Sequence, residues 1–244
     1  MKRRLDLLLV ERGLVDSRTR AQALVMEGKV RVGGQVETKA SRQLAEDAVV
    51  EIEEPPRFVS RGGEKLEGAF RLWSELDANG KDCLDVGSST GGFTDCLLQH
   101  GAKSVMAVDV GTNQLAYSLR VDPRVWVKEN YNARFMKSAD LPRTPSLAVT
   151  DVSFISLRLI LPPIADVLPS GGEAVALIKP QFEVGRGNAP GGLVRDERLR
   201  IEARDRIVDF TVRELGLELK GLAESPIRGR EMGNIEYLSY WRKP

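Results

Sequence analysis

Residues 85–94 read Asp-Val-Gly-Ser-Ser-Thr-Gly-Gly-Phe-Thr, and this stretch decides the fold. The apolar residues from Cys83 onwards predict a buried strand, and residues 94–100 predict a helix. A strand that passes through small residues into a helix is typical of the ligand-binding edge of an open α/β sheet. Glycines in such a turn let the backbone approach a ligand closely. The spacing is neither Gly-x-Gly-x-x-Gly nor a phosphate P-loop, so it predicts neither a dinucleotide nor a nucleoside-triphosphate fingerprint.

Outward from this stretch, strand-like and helix-like segments alternate along the chain. The predicted strands are Cys83–Val86, Val105–Val108, Val125–Val127, Leu147–Val149, Ala174–Ile178, Leu217–Leu222 and Ile235–Trp241, and the predicted helices are Gly63–Leu76, Thr94–His100, Gln114–Leu119, Ile155–Leu168 and Asp196–Leu215. This alternation predicts an α/β fold with a doubly wound, mostly parallel sheet. The last two strands leave no room for a helix between them, so we expect the final strand to be antiparallel. Seven strands with that ending are, by analogy, the shape of class I methyltransferases.

A carboxylate at the end of the second strand adds to the prediction of a ligand site. Asp109 follows Asp85 by 24 positions and can accept hydrogen bonds from a ribose diol. Together with the glycine loop it favours S-adenosylmethionine as cofactor, whereas the loop alone could be a tight turn. Asn132 either touches the adenine side of the cofactor or caps a turn. The predicted cofactor contacts are Asp85, Gly87, Ser88, Ser89, Thr90, Gly91, Gly92, Phe93, Asp109 and Asn132.

Four charged residues come from four separate elements of the predicted sheet. Lys65 lies at the start of the first helix, Asp151 ends the fourth strand, Lys179 ends the fifth, and Glu236 lies at the last strand. Taken singly, such residues are more often on the surface. Charged residues at the carboxyl ends of parallel strands point to the ligand crevice, so we expect these four to converge.

A small basic module precedes this sheet. Residues 1–42 contain ten lysines and arginines against five acids, residues 43–56 contain acids and no base, and prolines 55 and 56 interrupt regular structure. We expect a short helix ended by Gly13, a second helix capped by Asp16 or Ser17, and a hairpin that turns at residues 33–34. Alternatively, the charged residues of this module form an ordinary solvated surface with no role in binding.

Composition excludes several classes of protein. The chain has 244 residues, 42% of them hydrophobic, and a net charge of +1, so any affinity for nucleic acid must come from a local basic face. The longest segment without a charged residue is Val110–Leu119, which is too short to span a membrane. The N-terminus has no apolar leader, and we expect a cytoplasmic protein. Cys83, Cys96 and His100 are too few for a disulfide framework or a zinc site, so we predict no metal.

The motifs together resemble a known family. Gly-Ser-Ser-Thr-Gly-Gly-Phe at 87–93, Thr-Asp-Val-Ser-Phe-Ile-Ser at 150–156, Ile-Lys-Pro-Gln-Phe-Glu-Val-Gly at 178–185 and Gly-Asn-Ile-Glu-Tyr at 233–237 are similar to the TlyA family. These haemolysin-like proteins carry an RNA-binding module ahead of an FtsJ-type ribose 2′-O-methyltransferase domain. The segments at 4–9, 17–24 and 28–34 resemble the αL RNA-binding motif. The resemblance implies an RNA-binding module at 1–57, a linker at 58–63 and a methyltransferase domain at 64–244.

The resemblance also implies roles for single residues. Lys65, Asp151, Lys179 and Glu236 match the Lys-Asp-Lys-Glu tetrad of FtsJ-type enzymes, and we hypothesise that Lys179 is the base that removes the ribose proton. Ribosomal RNA or ribosomal subunits are the expected partners. The predicted RNA contacts are Arg4, Arg18, Arg20, Lys29, Arg31, Lys39, Arg42 and Arg61.

The expected substrate is a cytidine ribose in ribosomal RNA. The large subunit is favoured because members restricted to it tend to be shorter at both ends, and the small subunit stays open. Alternatives are a pore-forming haemolysin, a protein that only binds RNA, and a small-molecule methyltransferase. Residues 185–195 are predicted either to cover the RNA as a mobile loop or to form a plain surface loop. The oligomeric state is left open.

Overall fold

The computed structural model describes residues 2–53, 56–185, 187–229 and 232–244. Glu54 and Pro55 of the predicted break, and Arg186 of the predicted loop, lie outside the described residues. The chain divides into two compact units, Met1–Arg57 and Phe58–Pro244. Among the described residues, no helix combines the length and the apolar character that crossing a membrane requires.

The first unit is a small α+β module. In chain order it contains β1 (Lys2–Arg4), α1 (Leu5–Glu11), α2 (Arg18–Met26), β2 (Val30–Val32), β3 (Gln35–Glu37), β4 (Gln43–Ala45) and β5 (Val50–Ile52). Strand β2 lies between β3 and β5, and β1 pairs with β4, all antiparallel. Leucines and valines from both helices and from β2 form its core. The predicted helices and hairpin are confirmed, and Ser17 rather than Asp16 caps α2 by accepting the backbone N–H of Arg20.

The second unit is built on one large sheet. Its elements are α3 (Gly62–Leu72), β6 (Asp82–Val86), α4 (Gly92–Gln99), β7 (Ser104–Val108), α5 (Tyr117–Arg120), β8 (Val125–Lys128), β9 (Leu147–Thr150), α6 (Leu161–Val167), β10 (Glu173–Ile178), α7 (Pro180–Glu183), α8 (Glu197–Arg213), β11 (Glu218–Glu224) and β12 (Tyr237–Arg242). The strand order is β11-β12-β10-β9-β6-β7-β8. Strand β12 is antiparallel to both neighbours, as predicted, and β6 to β10 are parallel where they pair.

Alternation along β6 shows how the sheet is buried on both faces. Cys83 packs into one hydrophobic cluster with residues of α3 and α4, whereas Leu84 and Val86 pack into a second with residues of α6. A parallel sheet that is covered by helices on both faces buries the side chains that point to either face. The carboxyl ends of β6, β7, β9 and β10 therefore open at one edge, which is where a doubly wound sheet binds its ligand.

Several predicted boundaries differ from the structure for local reasons. The predicted helix at 155–168 begins only at Leu161, after a 3-10 turn at Leu157–Leu159, because Pro162 and Pro163 fit the first turn of a helix but not its interior. Residues 58–63, which we predicted as a linker, pack into the second unit. Phe58 is buried in its core and the backbone N–H of Val59 donates to Asp95 Oδ2 at 2.8 Å.

Candidate active site

The four charged residues predicted to converge form one chain of ion pairs. Lys65 Nζ lies 2.8 Å from Glu236 Oε2 and 3.3 Å from Asp151 Oδ2. Lys179 Nζ lies 2.6 Å from Asp151 Oδ1. Asp151 therefore joins the two lysines, and Lys65 joins the two carboxylates.

The topology of the sheet explains this convergence. Lys65 is in the first turn of α3, while Asp151 and Lys179 directly follow the parallel strands β9 and β10. Glu236 directly precedes β12. Because β12 runs antiparallel to β10, with Tyr237 opposite Ile178, the start of β12 meets the end of β10. Residues 151, 179 and 236 are thus brought to the same edge by strand register.

The ion pairs are almost removed from solvent. Glu236, Lys179 and Lys65 are 3%, 7% and 8% exposed. A buried charge is costly unless it is paired and hydrogen-bonded. Two lysines and two carboxylates balance one another, which lets the cluster be buried as a whole.

Two further polar side chains contact this cluster, and we had not assigned them a role from the sequence. Ser153 Oγ lies 2.8 Å from Lys179 Nζ, and Gln181 Nε2 donates to Glu236 Oε1 at 3.2 Å. Both lie inside motifs quoted for the family resemblance. Serine and glutamine are common on any surface, so only their positions within those motifs could have singled them out.

A cavity of about 630 Å³ opens beside the cluster. It is lined by residues of the glycine loop, by Asp109, and by residues that follow β8 and β9. Its size is within the ~300–1,000 Å³ of small-molecule sites. Asp109 Oδ2 accepts the backbone N–H of Ser89 at 2.8 Å, and its Oδ1 accepts that of Gly111 at 2.7 Å. These bonds fix the carboxylate and leave further lone pairs for a ligand hydroxyl.

The small residues of the loop are required by close packing. Gly87 has φ +81°, and a Cβ there would lie 2.8 Å from Val152 Cγ1. Gly91 has φ +96°, and its Cβ would lie 2.3 Å from Leu119 Cδ1. A Cβ on Gly92 would lie 2.8 Å from the backbone nitrogen of Gly63. Of the predicted loop contacts, Gly87 and Ser89 line the large cavity, whereas Ser88, Thr90, Gly92 and Phe93 line a neighbouring cavity of about 190 Å³.

Two predicted cofactor contacts do not line the cavities described here, and their role stays a prediction. Gly91 lines none of the cavities described here, because it turns the chain into α4 against Leu119. Asp85 is 1% exposed and also lines none of them. It shares the sheet face of Cys83, towards α4, and Asp85 Oδ2 accepts the Thr94 hydroxyl at 2.7 Å. Burial raises the pKa of Asp85 to about 7, although the hydrogen bond from Thr94 opposes the shift.

Asn132 caps a turn, which was one of its two interpretations, and its contact with the cofactor stays a prediction. Its Oδ1 accepts the backbone N–H of Arg134 at 3.2 Å and so caps the 3-10 turn Ala133–Phe135. The residue also lines the 630 Å³ cavity. The cap positions Asn132 at the wall of the cavity.

A third cavity, of about 370 Å³, also adjoins the ion pairs. Its lining includes Lys65, Lys179 and Glu236 together with Phe154. Ser153 lines all three cavities. Lys179 and Ser153 therefore stand where the site of the glycine loop meets a second chamber.

The predicted loop at 185–195 forms part of this chamber. Gly191 and Gly192 belong to a 3-10 turn and line the 370 Å³ cavity. Asn234 holds the segment, because its Nδ2 donates to Gly192 O at 2.7 Å and its Oδ1 accepts the Val194 N–H at 3.0 Å. The described part of this segment is thus tied to the residues just before β12.

The predicted RNA contacts are distributed over the two units. Arg4 and Arg18 of the first unit pair with Asp6, and Arg42 pairs with Glu37. Arg31 Nη1 donates to Gly34 O at 3.3 Å, and Arg20, Lys29 and Lys39 belong to the same unit. Arg61 belongs to the second unit, where its Nη2 donates to Arg228 O at 3.1 Å.

Cys96 and His100, to which we assigned no chemistry, lie beside Glu67. The three donor atoms are within 4.8 Å of one another. His100 Nε2 is 2.7 Å from Glu67 Oε2, and its ring stacks on Phe70 with centroids 4.0 Å apart. These contacts join α3 to the end of α4.

Comparison with known proteins identifies the family. Residues 58–243 match the FtsJ-like methyltransferase family, and residues 3–50 match the S4 domain. A 16S/23S rRNA (cytidine-2′-O)-methyltransferase, TlyA of Mycobacterium tuberculosis, is 42% identical over 98% of this chain and 89% of its own. A 23S rRNA (cytidine-2′-O)-methyltransferase, TlyA of Campylobacter jejuni, is 39% identical over 76% of this chain and 71% of its own.

A solved structure from Streptococcus thermophilus is 43% identical, has a TM-score of 0.75, and covers 99% of this chain and 88% of that chain. Its description uses the name hemolysin, so the names of the relatives divide between hemolysin and rRNA methyltransferase. The family whose model matches most of the chain is the methyltransferase one. With an S4 domain ahead of an FtsJ-like methyltransferase domain, the chain belongs to the TlyA family of rRNA methyltransferases.

Proposed function

We propose that this protein transfers a methyl group from S-adenosylmethionine to the 2′-hydroxyl of a cytidine in ribosomal RNA. The observation that carries the proposal is the position of Lys179. Lys179 is 7% exposed, and its Nζ contacts Asp151 and Ser153. The residue lines both the 190 Å³ cavity at the glycine loop and the chamber that Lys65 and Glu236 line.

The 630 Å³ cavity suits S-adenosylmethionine in its chemistry. Asp109 offers carboxylate lone pairs to a ribose diol, and Val110 and Ile155 offer apolar surface to a flat base. Ser89 and Gly87 line the same cavity, where a larger side chain on Gly87 would collide with Val152. When bound, S-adenosylmethionine supplies a methyl group on a sulfonium, which is already an activated donor.

The chain's own residues would then align and deprotonate the nucleophile. A ribose hydroxyl is a poor nucleophile near neutral pH, so its proton must leave as the carbon–oxygen bond forms. Lys179 must first release a proton to solvent, and its neutral amine then accepts the ribose proton at Nζ and becomes an ammonium again. Asp151 Oδ1 and Ser153 Oγ, at 2.6 and 2.8 Å, stabilise this ammonium.

Lys65 has a different role in this proposal. Its Nζ stands between Glu236 Oε2 and Asp151 Oδ2, so it fixes the orientation of the carboxylate that holds Lys179. Gln181 fixes the other oxygen of Glu236. When the ribose hydroxyl and the methyl donor are held in line, they need little reorganisation to react. This alignment supplies much of the rate acceleration in a bimolecular transfer.

The RNA target is proposed from the relatives and from the first unit. Both TlyA relatives are named for cytidine 2′-O-methylation, and both names include 23S ribosomal RNA. The S4 domain supplies arginines that can contact phosphates. We therefore expect a cytidine of the large subunit as the first target, with the small subunit as a second substrate to be tested.

Isolated ribosomal subunits and labelled cofactor test this function directly. Purified protein should transfer label to RNA of the large subunit, and ribose analysis should locate it on a 2′-O-methylcytidine. A Lys179→Ala variant serves as the negative control. Label on a base, on protein or on no RNA would contradict the proposed reaction, and label in the small subunit alone would contradict the proposed target.

A further inference from the structure

The first unit contains a buried carboxylate whose surroundings are unusual for an acidic residue in a basic module. Asp6 lies in the first turn of α1 and is 0% exposed. Arg4 donates from Nε to Asp6 Oδ1 and from Nη2 to Asp6 Oδ2, both at 3.0 Å. Arg18 Nε and Gln22 Nε2 donate to the same Oδ2 at 3.0 and 2.8 Å. Three side chains from two elements therefore converge on one carboxylate.

The two arginines are held on one side and open on the other. The side chains of Arg4 and Arg18 are 35% and 52% exposed, although Asp6 is buried. Within the described part of the chain, the two terminal nitrogens of Arg18 have no hydrogen bond, and Asp6 holds that side chain only through Nε. Because an Arg fork matches the geometry of a phosphate, these free N–H groups can bind one. The hydrogen bond from Arg4 holds the pKa of Asp6 well below its usual range, so the anchor stays ionised near neutral pH.

A second buried acid stands beside this cluster and has a similar arrangement. Glu37 accepts a hydrogen bond from Arg42 and, at 2.8 Å, the backbone N–H of Lys39. The backbone N–H of Asp6 donates to Ala40 O at 3.0 Å, and that of Leu5 donates to Arg42 O at 2.9 Å. The turn that carries Lys39 and Arg42 therefore lies directly against the start of α1. The Asp6 cluster and the Glu37 cluster are neighbours.

We propose that Asp6 is a positioning residue for RNA binding, which holds Arg4 and Arg18 as one ordered cation pair for a phosphate of structured RNA. This inference rests on the proposed function and deepens it by singling out two of the predicted RNA contacts as a unit. Ordering a long side chain during binding costs free energy, and a side chain ordered beforehand avoids that cost. A negatively charged residue thereby strengthens the binding of a polyanion.

The direction in which Asp6→Asn changes the affinity for RNA distinguishes this proposal from simple charge attraction. Asp6→Asn removes a negative charge, so attraction alone would tighten the binding of RNA. If Asp6 orders the arginines, the same change weakens the binding of a 23S ribosomal RNA transcript by about tenfold, since two side chains must then be ordered on binding. Asp16→Asn is the matched control, because Asp16 is exposed in the same unit and has no hydrogen bond or ion pair among the described residues. It should leave the affinity unchanged or slightly higher.

A double-mutant cycle in the full chain protects the test against a loss of folding. In an Arg4→Ala/Arg18→Ala background, Asp6→Asn should change the affinity by less than twofold, because the residues it positions are gone. In methyl transfer, Asp6→Asn should raise the KM for RNA and leave kcat unchanged.

Three outcomes overturn the inference. In the first, Asp6→Asn binds RNA as tightly as the unsubstituted protein. In the second, Asp6→Asn weakens binding equally in the unsubstituted and the Arg4→Ala/Arg18→Ala proteins. In the third, Asp6→Asn lowers kcat and leaves the KM for RNA unchanged. Failure of the unsubstituted protein to bind the transcript would instead contradict the proposed function.

Discussion

Lys179 is the residue on which the chemistry depends. Lys179→Ala should lower the rate of methyl transfer at least about 100-fold, which is the lower range for the loss of a general base. The fold and cofactor binding should be nearly unchanged, since the side chain ends in a cavity. The measurement is single-turnover transfer to large subunits, with thermal unfolding and calorimetry beside it. Lys103→Ala, at an exposed ion pair with Asp82, is the control and should retain full activity. Substantial activity in Lys179→Ala would rule this residue out as the base.

Asp109 tests the position of the cofactor at the scale of one side chain. Asp109→Ala removes a carboxylate that faces the 630 Å³ cavity and holds the backbone of Ser89 and Gly111. Loss of a charge-assisted hydrogen bond, about 1.5–3 kcal/mol, should weaken S-adenosylmethionine binding about 10–150-fold by calorimetry. Asp122→Ala removes an acid that pairs with Arg124 and should leave the affinity unchanged. Equal affinities for both variants would contradict this position of the cofactor.

Asp85 gives a prediction about pH. Its pKa is about 7 in the folded protein and near 3.8 in the unfolded chain, so the folded state binds more protons between those values. Stability from this residue should therefore be greatest below about pH 4 and fall as pH rises to 7, by a few kcal/mol at most. Asp85→Asn should remove that decline in urea unfolding from pH 4 to 8. Asp209→Asn, on the exposed face of α8, should keep it. A pH profile of Asp85→Asn with the same slope as the unsubstituted protein would contradict this.

The charged residues of the ion-pair cluster could be identified from the sequence, but the polar side chains that contact them could not. Asp151 and Lys179 could be predicted because they follow parallel strands. Lys65 and Glu236 could be added because they match the family's motifs. The cofactor contact of Asp85 stays a prediction, and its hydrogen bond with Thr94 could not be read from the sequence. Ser153, Gln181 and Asp6 were missed because an uncharged hydroxyl or amide, or an acid among arginines, becomes informative only when the three-dimensional contacts are known.

At the scale of elements, the approach of α3 to α4 depends on Gly92. Alanine normally favours a helix over glycine by about 1 kcal/mol. A Cβ at Gly92 would nevertheless lie 2.8 Å from the Gly63 nitrogen and 3.1 Å from the Gly62 Cα, so α3 would have to move. Gly92→Ala should therefore lower the free energy of unfolding by about 1–3 kcal/mol in urea, and lower activity because Lys65 moves with α3.

Gly80→Ala is the matched control for this prediction. Gly80 has φ +70° and open space around it, so its substitution should cost only the left-handed backbone strain of about 1–2 kcal/mol and leave activity intact. A stabilised Gly92→Ala variant with normal activity would contradict the close approach of the two helices.

The long elements could be predicted from the sequence, and several of the short ones could not. Strands β7, β9 and β10 carry continuous apolar runs, and β6 carries Cys83, Leu84 and Val86. The antiparallel β12 followed from the short connection before it. The three-residue strands β1, β4 and β5 have no periodicity to detect, since pattern needs at least four residues. The four-residue helix α7, which begins at Pro180, was also missed, because one helical turn is too short to show helical periodicity.

At the scale of the whole molecule, the two units should divide the work. A chain of residues 58–244 contains its own core and the complete ion-pair cluster, so it should bind S-adenosylmethionine as the full chain does. It should methylate large subunits poorly, because the S4 domain is absent. RNA binding by the full chain should fall steeply with salt, and the truncated chain should have a smaller slope. Full activity of the truncated chain would contradict this division.

Mapping of ribose methyl groups in cells shows whether this protein methylates a cytidine of the large subunit. Ribosomal RNA would be compared from cells that contain this protein, cells that lack it, and cells that carry Lys179→Ala in its place. We predict that a 2′-O-methylcytidine of the large-subunit RNA is present in the first and missing in the other two. Identical ribose methylation in all three would contradict the account.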